Sequence, residues 1–168
     1  DDKTFTAFLK ACYHNYPLAD LQRLIDNAGW EKLTGRLEEN GLIGFAYDAV
    51  VNKKVNISPP PEVLALWKRK AMQIAFNNLL YEQEAAVVFA ALNKSGLKYI
   101  LMKGFVGMEA LYGNKEIRPV SDLDVMVLPE HFQPAIDVLL NNGYSIEDNS
   151  IPGGWNATAL EDYDGVYE

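Results

Sequence analysis

Three consecutive prolines, Pro59-Pro60-Pro61, stand directly ahead of a long apolar rhythm, and that arrangement leaves the middle of this chain few options. Proline is tolerated in the first turn of a helix and nowhere later, so Ser58-Pro-Pro-Pro-Glu62 reads as a helix start. Leu66, Trp67, Ile74, Leu79, Leu80, Val87, Val88 and Leu92 then recur at helical spacing, and Lys94-Ser95-Gly96 ends the run. The prediction is one helix over 62–94, about 50 Å long at 1.5 Å per residue. That is more than a small domain needs, and it suggests an element that joins or braces two units. The aromatic residues Phe76, Tyr81 and Phe89 on this helix are expected in the core.

Everything before the prolines is also helical in pattern. Phe5, Phe8, Leu9 and Cys12 share one face, and Leu18, Leu21, Leu24 and Ile25 repeat it before a stop at Gly29. Trp30, Leu33 and Leu37 form a third stretch closed by Asn40-Gly41, and residues 42–51 a fourth, which Gly44 and two valines weaken. After Gly96 the pattern changes. Residues 99–102 form a short apolar run of strand type, and Gly104 opens a helical stretch through Met108, Leu111 and Tyr112. Residues 122–128 make a second strand, a helix begins at Pro129-Glu130, and residues 144–147 make a third strand after Asn142-Gly143. The reading is therefore a helical region over 1–95 and a strand–helix–strand–helix–strand core over 96–168, an α+β chain in the broad sense.

Composition narrows the class. Apolar residues are 49% and charged residues 23% of 168, which excludes disordered, collagen-like and low-complexity architectures. A single cysteine excludes a disulfide framework or a Cys-based zinc site within the chain. No apolar run is long enough to span a bilayer, and Asp1-Asp2-Lys3 carries no secretory pattern, so no membrane partner and a cytoplasmic location are expected. Residues 1–95 carry eleven acids and eleven bases, whereas residues 96–168 carry twelve acids and only Lys98, Lys103, Lys115 and Arg118. The whole net charge of −8 thus sits in the second part. Counterion release has little to work with there, so duplex nucleic acid is not an expected partner. Acids beside a few bases suit a cation together with a small phosphorylated ligand.

The chemistry concentrates at Asp122-Leu123-Asp124. On a strand, residues i and i+2 share a face, which sets both carboxylates on one side and Leu123, Val125 and Val127 on the other, toward the core; Met126 shares the acids' face. Two like charges so placed call for a neutralising cation, and Mg²⁺ takes carboxylates while leaving positions for phosphate oxygens. A bare Asp-x-Asp also describes two solvated acids at a strand end, but its surroundings favour a site. Lys103-Gly104 forms a strand-to-helix turn where backbone N–H groups and a full positive charge can meet an anion. Arg118 supplies a guanidinium between that turn and the acids. His14 and His131 have no second ligand at metal spacing and read as surface or capping residues.

Taken together, Leu101-Met-Lys-Gly104, a helix ending in Leu111-Tyr112, and Arg118-Pro-Val-Ser-Asp-Leu-Asp-Val-Met-Val127 resemble the uncharacterised nucleotidyltransferase family, within the DNA polymerase beta-like superfamily. Gly143-Tyr144 fits as well, and the resemblance covers most of residues 60–148. It implies a mixed β-sheet core and a Mg²⁺- or Mn²⁺-dependent transfer of a nucleoside monophosphate from a nucleoside triphosphate to a hydroxyl acceptor. Asp122 and Asp124 would be catalytic and hold the metal, while Lys103, Gly104, Arg118 and Ser121 would bind nucleotide. The superfamily adds a third acid from a neighbouring strand, a role this resemblance gives to Glu168, with Asp162 and Asp164 as rivals. On that reading the sheet is incomplete at the C-terminus. Phe105 stands where the superfamily often has Ser or Gly, which moves the phosphate contact onto Lys103. Two alternatives stay open: a nucleotide-binding or regulatory module of the same fold without turnover, and a helical protein-interaction scaffold.

Overall fold

A computed structural model of the chain describes residues 2–13, 16–102, 114, 117–146 and 157–159. Its element order is α1 (Asp2–Tyr13), α2 (Leu18–Ala28), α3 (Trp30–Glu39), α4 (Ile43–Val51), α5 (Pro61–Lys94), β1 (Tyr99–Leu101), β2 (Val125–Val127), a 3₁₀ turn (Pro129–His131), α6 (Phe132–Asn141), β3 (Tyr144–Ile146) and β4 (Ala157–Ala159). The protein is mostly helical. Among the described residues no helix is long and apolar enough to cross a membrane.

Contacts divide the chain into two units, Asp1–Asn78 with Asn114–Pro119, and Leu79–Gly113 with Val120–Glu168. The division falls inside α5, so the first half of this helix belongs to one unit and the second half to the other.

The first unit has a closed apolar core. Phe8, Leu21, Ile25, Leu33, Leu37, Ala46, Ala49 and Trp67 are buried, one or more from each of the five helices. Trp67 is its centre. Its ring meets Phe8 and Trp30 edge-on, each at 6.2 Å between centroids, and its Nε1–H donates to Thr34 Oγ1 at 3.0 Å. Burying an indole removes its N–H from water, and the threonine hydroxyl replaces that lost partner. The glycine between α2 and α3, Gly29, sits at φ 87°, where a side chain would be strained, and this lets one helix stop and the next begin without a linker.

Gly44, which weakens α4 as a helix former, has a different purpose. A Cβ built on it would run into the backbone carbonyl of Ile117, so the absence of a side chain admits the 117–119 segment against α4. Pro119 lies against Gly41 in the same way, 3.3 Å from the position a Cβ would take.

In the second unit β1 and β2 pair antiparallel, with Tyr99 opposite Val127 and Leu101 opposite Val125. β3 and β4 pair antiparallel too, Tyr144 opposite Ala159. Among the described residues the strands thus form two separate antiparallel pairs, in place of the mixed sheet that the resemblance implies. The short β4 carries no sequence signal that separates it from loop. Val88, Leu92, Ala135 and Tyr144 make the core here, with Phe89, Leu123, Val125 and Val127 packed on it. Phe89 stacks on Tyr99 at 5.7 Å, and Tyr81 is buried. Phe76, in contrast to the expectation, is exposed.

Candidate functional site

Residues 121–124 lead into β2 without being part of it: the strand begins at Val125, not at Asp122. The reason is the partner strand. β1 ends at Leu101, opposite Val125, and one further bond, from the Met102 N–H to the Asp124 carbonyl at 3.1 Å, closes the pairing. The side-chain alternation nonetheless continues back through the lead-in. Leu123, Val125 and Val127 all pack on the core, and Met126 between the two valines faces the other way. Asp122 and Met126 are exposed. Asp124 is half-buried, and its Oδ2 is hidden from solvent altogether.

Two carboxylates two residues apart, one open to water and one with a shielded oxygen, are hard oxygen donors of the kind that Mg²⁺ or Mn²⁺ accepts. Among the described residues no cluster of three or more His, Cys, Asp or Glu is placed to hold a metal. The described chain therefore offers a pair and not a cage. A pair suits a cation that keeps positions for water and phosphate oxygens. The donor set fits.

The remaining predicted residues divide into two groups. Ser121 is exposed, immediately before Asp122. Arg118 is also exposed and belongs to the first unit, while the acid pair belongs to the second. Lys103, Gly104 and Phe105, the helix expected after Gly104, and the acids Asp162, Asp164 and Glu168 lie outside the described residues. So does His14, whereas His131 accepts the Lys98 N–H on Nδ1 at 3.2 Å, a capping contact at the entry to β1.

Sequence reasoning passed over two residues of α5 that bond main-chain carbonyls, one within each unit. In the first unit, Asn78 is buried at 3% exposure and its Nδ2 donates to the Arg118 carbonyl at 2.8 Å. In the second, the Tyr81 hydroxyl donates to the Ser121 carbonyl at 2.9 Å. The available signal is an asparagine and a tyrosine three apart on one helix face.

Residues 26–168 match the profile of the uncharacterised nucleotidyltransferases. No curated protein and no solved structure matches the chain. With the Asp122/Asp124 pair inside a match that takes in most of the sequence, this chain belongs to the uncharacterised nucleotidyltransferase family.

Proposed function

We propose that the chain contributes the metal-binding strand of a Mg²⁺-dependent nucleotidyltransferase, which moves a nucleoside monophosphate from a nucleoside triphosphate to a hydroxyl acceptor. The observation that carries the reading is the pair Asp122 and Asp124 directly ahead of β2, one exposed and one with a shielded oxygen, within a chain of this family. When bound, the cation supplies charge neutralisation between the incoming oxygen and the α-phosphate. The chain's own part is to orient. Asp122, open to solvent, approaches from the ligand's side, and Asp124 holds its position through a backbone anchored on β1. Ser121 adds a hydroxyl beside the first acid. Lys103, the turn at Gly104, and Arg118 are proposed to take the triphosphate, and Glu168 to complete the acids.

The test is a calorimetric titration of ATP and GTP with and without Mg²⁺, followed by a labelled-nucleotide transfer assay against hydroxyl compounds. The reading expects metal-dependent nucleotide binding and label transfer. Binding without transfer would leave a nucleotide-binding module, and no binding would leave a scaffold.

A further inference from the structure

We propose that Tyr81 is a positioning residue for the Asp122/Asp124 pair, holding the backbone from which the two carboxylates project. The proposal rests on the nucleotidyltransferase reading of that pair.

Among the described residues the β1–β2 ladder secures the far end of the acid segment, through the Met102 N–H on the Asp124 carbonyl. The ladder does not, among the described residues, reach Ser121 or Asp122, which have no regular structure. The near end is held by Tyr81. Its hydroxyl bonds the Ser121 carbonyl, and that carbonyl shares one rigid peptide plane with the nitrogen and Cα of Asp122. Restraining the carbonyl therefore restrains where the Cα of Asp122 lies. Between the two anchors, Leu123 is packed on the core. The three-residue stretch is thus clamped at entry, middle and exit, which is the restraint that two metal-ligating oxygens need to stay within about 0.5 Å of a working geometry.

Tyr81 is 8% exposed, a place where phenylalanine would pack equally well, so the hydroxyl is what distinguishes the residue. Ser121 is exposed, and water could satisfy its carbonyl without help. The bond serves direction more than hydrogen-bond accounting. Tyr144 provides the comparison: it is equally buried in the same unit, and its hydroxyl bonds Glu84, away from the acid segment in sequence.

The experiment compares wild type, Tyr81→Phe and Tyr144→Phe by calorimetric titration of ATP with and without Mg²⁺, with urea midpoints for all three. Expected are a fivefold or greater loss of affinity in Tyr81→Phe that appears only with Mg²⁺, and an unchanged affinity in Tyr144→Phe at comparable stability. Amide exchange in Tyr81→Phe should quicken at residues 122 and 123 and not along α6. Wild-type affinity in Tyr81→Phe overturns the proposal, as does an equal loss in Tyr144→Phe. A Tyr81→Phe chain that fails to fold beside a folded Tyr144→Phe assigns the hydroxyl to the fold and overturns it too. A wild type that binds no Mg²⁺-nucleotide is a separate result: it removes the nucleotidyltransferase reading, and the positioning role falls with it.

Discussion

The backbone carbonyl of Ile117 occupies the space that a side chain on Gly44 would need. Alanine is the better helix former, by up to about 1 kcal/mol, so propensity alone favours Gly44→Ala in the first turn of α4. The contact decides otherwise. A Cβ there meets backbone, which cannot rotate away, and overpacking of this kind costs about 1–3 kcal/mol. Gly44→Ala should lower stability, seen as a lower urea midpoint. A raised midpoint would show that the 117–119 segment does not lie on α4.

Thr34→Val keeps the shape of the side chain and removes the acceptor for the Trp67 indole. Trp67 is fully buried, so its N–H would have no water to turn to. The expected cost is about 1–3 kcal/mol, against near neutrality had the hydroxyl been idle. Chemical unfolding measures it, and tryptophan fluorescence should report a changed environment in the folded state.

Asp124→Asn should leave the fold intact and weaken metal-dependent nucleotide binding by more than tenfold, about 1.4 kcal/mol, because a ligand oxygen and a full charge are lost together. Calorimetry with Mg²⁺ and ATP gives the answer. Equal affinity in the variant would end the metal assignment.

Cys12 gives a pH dependence with a defined sign. Burial pushes its thiol up to about 12, with Lys54 pulling weakly the other way. An unfolded chain releases that proton near 9 and the folded one keeps it. The stabilising contribution is therefore complete below about pH 9 and is lost as pH rises from there toward 12. Urea midpoints at pH 8, 9 and 10 should fall more steeply in wild type than in Cys12→Ala. Alkylation of Cys12 at pH 8 should also be much slower than that of a free thiol, since few thiolates are present.

What the sequence makes legible follows from how local the cause is. Pro59-Pro60-Pro61 and Ser95-Gly96 bracket α5 because helix starts and stops are decided by residues next to them. The alternation through Leu123, Val125 and Val127 is legible for the same reason, and these three residues do pack on the core. Where β2 begins is not legible, because that is set by the length of β1 and not by its own residues. Gly44 reads as a poor helix former since the carbonyl it accommodates comes from Ile117, far along the chain. Tyr81 reads as another core aromatic, because nothing near it in sequence announces that its hydroxyl meets Ser121. Phe76 keeps the helical rhythm and yet faces outward, since periodicity finds a stripe without saying what covers it.

The two bonds that fix the acid segment both end on main-chain carbonyls, those of Ser121 and Asp124. Neither depends on what side chain residues 122 and 124 carry. A descendant of this chain that replaced both acids would keep these two main-chain anchors. The course of the segment and the identity of the acids it carries are thus open to change separately.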